Sequence, residues 1–167
     1  MTMISFFIPG EPVAFARAGA NGAQRFTPKR QRDFMALVKL AACRSMVAQS
    51  LMTGPVALNI RASYVPPVSW SKKKTAGATW RAARPDADNL AKIIADALNA
   101  IVYADDAQIA SLTVRKVYGP VAGVSVSVVC LEDADFSDFT NSTIADASDR
   151  GGAVEGALQG GALHSAA

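Results

Sequence analysis

Histidine occurs once in this chain, as His164, and cysteine twice, as Cys43 and Cys130. A single histidine near the C-terminus removes His-based general-base catalysis and His-ligated metals from the expected chemistry. The two cysteines stand far apart in apolar stretches and match no zinc-ligand spacing, so both are expected as buried free thiols. No apolar run is long enough to span a bilayer. The start, MTMISFFIPGEP, lacks the basic opening and long apolar middle of a secretory signal, so a soluble, cytoplasmic protein with no membrane partner is expected. Carboxylates are also scarce over most of the chain. Residues 1–130 carry 16 bases against 7 acids, about +9, whereas residues 131–167 carry seven acids and one base, about −6. Any enzyme chemistry must therefore rest on carboxylates, lysines or hydroxyls.

Half of the 167 residues are apolar, enough for one domain with a true core. A body this basic suggests a polyanionic partner, most often nucleic acid, with a solubilising surface as the alternative. From residue 133 onward the chain turns rich in Ala, Gly, Ser and Asp and loses periodicity. A folded domain over 1–132 and a disordered acidic tail over 133–167 are expected.

Along the body, MISFFIPGEPVAFARA reads as one or two strands broken at Pro9-Gly10, and GANGAQR as a Gly-rich loop. Thr27 suits an N-cap and Pro28 the first helical position of a helix carrying Phe34, Leu37, Val38 and Ala41, with Met35, Ala42 and Met46 on a second side. Val56, Leu58, Ile60, Ala62 and Tyr64 alternate as a half-buried strand. The segment PPVSWSKKKTAGATWRAARP reads as a long loop rich in Lys72, Lys73, Lys74, Arg81 and Arg84. QIASLTVRKVYG and GVSVSVVCL read as two strands of an antiparallel hairpin around Gly119-Pro120. The fold class expected is α+β, a mixed sheet with two principal helices.

Five of the seven acids of the body lie in RPDADNLAKIIADALNAIVYADD, residues 84–106. Leu90, Ile93, Ile94, Ala97, Leu98 and Ile101 follow helical spacing, and Asp88, Lys92, Asp96 and Asn99 fall within about 80° on the opposite side. In extended backbone before this helix, Asp86 and Asp88 would point to one side with Cα atoms roughly 7 Å apart, able to share a cation. Asp88 also suits the helix N-cap, which is its purely structural reading. Asp105-Asp106 returns after the helix and could join them; a polar turn is its alternative reading. Asp96 lies about 12 Å along the axis from Asp88, too far to share a metal directly, and is expected to pair with Lys92. Clustered carboxylates repel unless a cation compensates, and all-oxygen ligands favour Mg²⁺ or Mn²⁺ over zinc. Such a set suits phosphodiester hydrolysis, with the metal activating water and Lys92 adding positive charge.

The segment RPDADNLAKIIADALNAIVYADDAQI resembles the signature of the RusA family of crossover junction endodeoxyribonucleases, roughly P-D-x-D-N-L-x-K, then D-A-L-N, then D-D-A-Q. FFIPGEPVAFAR and SWSKKK also look like RusA-type sequences, especially those of phages and prophages, and the resemblance spans about residues 3–130. It implies a homodimer that binds four-way DNA junctions and makes paired nicks with Mg²⁺ in recombination and repair. It further implies catalytic and metal-binding roles for Asp86, Asp88 and Asp106, with Asp105 close by, an essential Lys92, and support from Asn89 and Asp96. The tail has no counterpart in that resemblance. A non-catalytic DNA-binding prophage product, or a nuclease preferring flaps or forks, remains the alternative.

Overall fold

A computed structural model describes residues 2–16, 19–21 and 24–131; the expected tail lies outside the described residues. Strand β1 (Met3–Pro9) is followed by a small hairpin, β2 (Gly19–Asn21) and β3 (Gln24–Phe26), and by helix α1 (Lys29–Ser45). Then come β4 (Val56–Tyr64), a short helix α2 (Lys72–Gly77), helix α3 (Ala87–Leu98), a 3-10 turn (Asp106–Gln108), β5 (Ile109–Tyr118) and β6 (Gly123–Cys130). Four strands form one mixed sheet in the order β1-β6-β4-β5, with β4 and β5 parallel and the other pairs antiparallel. The architecture is the α+β class expected, with α1 and α3 as the principal helices.

Period-two alternation sets the core. Val56, Leu58, Ile60, Ala62 and Tyr64 of β4 are all buried, as are Ile4 and Ile8 of β1 and Val124, Val126 and Val128 of β6. These side chains meet the apolar stripes of the two helices in one cluster. On α3, Leu90, Ile93, Ile94, Ala97 and Leu98 are completely buried. The helix stops at Leu98 because Asn99 turns extended and Ala100 takes a left-handed φ of 59°. Val102 and Tyr103 then drop into the core, and the Tyr103 hydroxyl donates to the Ala95 carbonyl at 3.1 Å.

Several expectations need correction. The strands β5 and β6 do not pair: β4 lies between them. Consecutive strands usually pair, but here the connection 119–122 crosses the end of β4. Gly119 N–H donates to the Tyr64 carbonyl and the Ser63 hydroxyl to the Val121 carbonyl. Two strand spacings are about 9.6 Å, within reach of four residues. The Gly-rich loop contains β2 and β3, and residues 10–16 run as an irregular strap. Pro28, with φ −52° and ψ 139°, is the N-cap of α1 rather than its first helical residue, and no side chain caps it; Gln31 and Arg32 N–H groups bond the Pro28 carbonyl. The buried stripe of α1 is Gln31, Phe34, Val38 and Ala42, which leaves Leu37, Leu40 and Cys43 exposed. Cys130 is half-buried, and both thiols are free. The lysine-rich loop contains α2, because Ser71 caps it through the Lys74 N–H.

Ile94→Ala is expected to lower unfolding stability by about 2–5 kcal/mol, because a fully buried side chain would leave a cavity. Urea denaturation checks it.

Candidate active site

The first carboxylates stand at the start of α3, on a segment held from two sides. Residues Thr79–Arg81 lie along the outer edge of β5, with Tyr118 N–H donating to the Thr79 carbonyl and Arg81 N–H to the Lys116 carbonyl. The Arg81 guanidinium sits 4.2 Å from the Tyr64 ring centroid and 5.6 Å from that of Tyr118. Its Nη2 donates to the Arg84 carbonyl at 2.6 Å and its Nη1 to the Tyr118 hydroxyl at 3.3 Å. Lys116 Nζ donates to the carbonyls of Ala83 and Pro85 at 2.9 and 2.8 Å. The Arg84-Pro85 peptide is cis. The two cations therefore tie the backbone on both sides of Arg84, immediately before Asp86.

Asp86 is the N-cap of α3, in extended conformation, and Asp88 lies in the first helical turn. The extended Asp-x-Asp expected from the sequence is thus bent at Asp86, and Asp88 is not the cap. Neither position is wasted: both side chains are exposed at the positive end of the helix dipole, which favours carboxylates. Asp86 makes no side-chain cap bond, and among the described residues Asp88 meets the Asn89 amide alone, at 3.4 Å.

The second pair is built by Gln108. Its Oε1 accepts from the N–H groups of Ala104 and Asp105 at 2.9 and 3.3 Å, and its Nε2 donates to the carbonyls of Met52 and Gly54 at 3.1 and 2.8 Å. One amide side chain thereby closes the turn and pins it to the segment before β4. Asp105 Oδ1 accepts from the Ala107 N–H at 2.8 Å, completing a capping box with Gln108. Asp105 is therefore engaged as a cap, and Asp106 is the half-exposed carboxylate of the pair. Burial raises the pKa of the Tyr103 phenol strongly, and the negative charges of Asp106 and then Asp96 raise it further.

Between the two ends, Lys92 Nζ lies 3.6 Å from Asp96 Oδ2, as their spacing implied, and 5.2 Å from the Phe15 ring centroid. The strap residue Phe15 donates its N–H to the Asn89 carbonyl, and Ala16 N–H bonds the buried Gln31 side chain. The polar stripe Asp88–Lys92–Asp96 consequently runs along the outward face of α3, bordered by the strap.

Among the described residues, no three His, Cys, Asp or Glu side chains gather closely enough to cage a metal ion. The donor chemistry fits a hard cation nevertheless. Mg²⁺ is generally held by one or two carboxylates, with water and substrate phosphate oxygens completing its shell. Asp86, Asp88 and Asp106 are free of ion pairs with the described cations.

The family model for endodeoxyribonuclease RusA matches residues 9–129. That range contains both carboxylate pairs, Lys92, the strap, strands β4 and β5, and β6 except Cys130; of β1 it includes Pro9 alone. The chain belongs to the RusA endodeoxyribonuclease family. A similar protein is the uncharacterized protein YqaN of Bacillus subtilis (strain 168), 34% identical over 138 residues, covering 77% of this chain and 96% of the relative.

In this RusA-family chain the basic residues divide. Lys72, Lys73, Lys74 and Arg84 are exposed. Lys74 Nζ lies 4.3 Å from the Trp70 ring centroid, and Trp70 meets Tyr118 edge to face at 4.9 Å, which anchors α2 beside β5. Arg81, expected at the DNA surface, instead turns inward between two tyrosines. The sequence reading missed Lys116 and Gln108. Lys116 looks like an ordinary strand residue, whereas Gln108 stands within the D-D-A-Q signature and could have been found there. No described helix is long and apolar enough to cross a membrane.

Gln108→Ala removes four hydrogen bonds around Asp105-Asp106. It is expected to lower stability by about 1–3 kcal/mol and to reduce nuclease activity, measured by thermal melting and by DNA cleavage on the same preparation.

Proposed function

We propose that this chain is a Mg²⁺-dependent endonuclease of branched DNA, four-way junctions foremost, acting as a cytoplasmic homodimer. Mn²⁺ would substitute for Mg²⁺. The observation that carries the reading is the arrangement on α3: Asp86 and Asp88 at its start, without ion pairs to the described cations, and Lys92 one turn on from Asp88 on the same exposed face. Asp86 and Asp88 would hold the metal, with water and substrate phosphate oxygens completing its shell; Asp106, expected beside them, forms no three-carboxylate cluster with them among the described residues, and Asp105 caps its turn. The bound ion would polarise the phosphodiester and activate water. Lys92, within reach of Asp96 but half-exposed, would meet the negative charge that builds on the phosphate in the transition state. Asn89 supports this face from within the first turn, and its carbonyl ties the strap.

The cations set the approach of DNA. Lys72, Lys73, Lys74 and Arg84 are exposed on the chain segment leading to Asp86 and would contact phosphates, whereas Arg81 and Lys116 shape the loop that carries it. Bare carboxylates repel a phosphate backbone, so metal and basic flank act together. The catalytic domain would comprise residues 1–132, and 133–167 an acidic appendage. A four-way junction has near two-fold symmetry, which a symmetric dimer would match with one active site per nicked strand. The exposed Leu37 and Leu40 of α1 supply apolar surface of the kind such a contact uses.

A synthetic four-way junction incubated with the protein and Mg²⁺ should yield paired symmetric nicks, blocked by EDTA and restored by added Mg²⁺. Asp86→Asn should abolish cutting while preserving junction binding, and Lys92→Met should slow cutting about a hundredfold or more. Equal cleavage of linear duplex, or normal cutting by Asp86→Asn, would overturn the reading. Faster cutting of flaps or forks would replace the substrate but keep the site.

A further inference from the structure

Helices α1 and α3 pack on one face of the four-stranded sheet, the face of Ile4, Ile60, Val114 and Val126. The intervening residues form the opposite face, where a trough of about 520 Å³ runs across all four strands. The strand register lines it with two rows. One row is Phe7, Ser125, Arg61 and Arg115, in that order from β1 to β5. The next is Ser5, Ser127, Asn59 and Thr113. Neighbours within a row stand about 4.8 Å apart. None of the described strands contains Asp or Glu, so no carboxylate stands in either row.

Arg61 and Arg115 are direct partners on parallel strands, and both are exposed. Among the described residues neither guanidinium makes an ion pair. Like charges set side by side on adjacent strands repel one another. A bound anion removes that repulsion, and a guanidinium can grip a phosphate through two parallel hydrogen bonds. The hydroxyl and amide side chains of both rows add donors to the same trough.

Phe7 ends the first row, 49% exposed. Its ring lies over Gly123, where any Cβ would strike it. The missing side chain lets the ring settle against β6 while Phe7 stays half open to solvent. Arg61 stands two strands away, roughly 10 Å. An aromatic ring beside a cation pair suits a nucleic-acid strand with unpaired bases, since a base can stack on the ring while phosphates meet the cations. A duplex turns its bases inward and offers the ring nothing to stack on. A free phosphate leaves the ring unused. A second copy of the same face would set Arg61 and Arg115 against their own copies. We propose that this face of the sheet is a second DNA-binding site, a platform for a single-stranded segment, with a base on Phe7 and phosphates on Arg61 and Arg115.

This goes beyond the endonuclease reading, because the platform and α3 lie on opposite sides of the sheet and binding requires no cutting. The two sides meet at the β5 edge, where Lys116, the neighbour of Arg115, holds the Pro85 carbonyl before Asp86. Linear duplex would engage the α3 side alone. DNA that joins a duplex to an unpaired segment would engage both sides and be held more tightly.

The test uses the full chain in EDTA and a fluorescent dT oligonucleotide of about twelve nucleotides, within the span of such platforms. The wild type should bind it, more weakly as salt rises. Arg61→Ala combined with Arg115→Ala should weaken binding at least tenfold. The slope of log K against log salt should fall by about 1.4, two phosphates at roughly 0.7 each. Phe7→Leu should weaken binding about tenfold, the effect of one lost base stack, with that slope unchanged. Ser125→Glu, at an exposed position between ring and cations, should weaken binding without lowering the melting temperature, so that loss of fold cannot imitate loss of the site. A duplex of the same length should be insensitive to Phe7→Leu. The inference is overturned if the wild type does not bind the oligonucleotide, or if the arginine pair and Ser125→Glu variants bind it normally. It is also overturned if Phe7→Leu weakens duplex and single strand alike, or if these variants turn a dimer into monomers in sedimentation, which would give the face to a second copy. Failure of the wild type to cut a junction would refute the endonuclease reading alone, since the binding series still reports on the platform.

Discussion

The burial of one face of α3 is the constraint on which the candidate site depends. Leu90, Ile93, Ile94, Ala97 and Leu98 are wholly inside, locked against β-strand side chains and α1. Once that face is committed, a 100° step per residue leaves Asp88, Lys92 and Asp96 no direction but outward. The same rigidity fixes where the helix begins and ends, and so the places from which Asp86 departs and to which Asp106 returns. An α-helix seated in a close-packed core is a more exact mount for functional groups than a loop.

The two ends of that helix are secured by a different kind of force. Directional hydrogen bonds hold them, made by side chains distant in sequence. Lys116 and Arg81 grip the carbonyls of residues 83–85, and Gln108 grips the turn at 104–108 together with the carbonyls of Met52 and Gly54. This division explains why two basic residues of a basic protein are drawn in from its surface. Inside the loop, each satisfies carbonyls that have no regular partner, since residues 81–86 belong to neither strand nor helix. Arg81 also lines a groove with Tyr64 and Pro85, so a residue that shapes the loop is simultaneously part of a groove beside Asp86.

Legibility varied with the range of the interaction that decides each feature. The buried face of α3 and the alternation of β4 could be read directly, because the periods 3.6 and 2 are written into consecutive residues. The Lys92–Asp96 pair could be read for the same reason. Asp86 and Asp88 were placed correctly in the chain but wrongly in conformation, since either can serve as a cap and spacing does not choose between them. The supposed β5–β6 hairpin failed because a four-residue connection suits both a tight turn and a step across one intervening strand. Leu37 and Leu40 of α1 were legible as apolar, yet which apolar residues face inward depended on what the helix packs against.

By itself the sequence determined the helix that carries the candidate site, the outward stripe of Asp88, Lys92 and Asp96, the basic body, and the family to which the chain belongs, since local periodicity, charge and motif spacing need no partner to be defined. Only the tertiary structure decided that β4 separates β5 from β6, that Asp105 caps a turn while Asp106 stays available, that Arg81 and Lys116 turn inward, and that Tyr64 and Arg81 border a groove next to Asp86. Each of those outcomes depends on groups tens of residues apart competing for the same carbonyl, strand edge or ring face, and such competition is settled by packing rather than by neighbours in the chain.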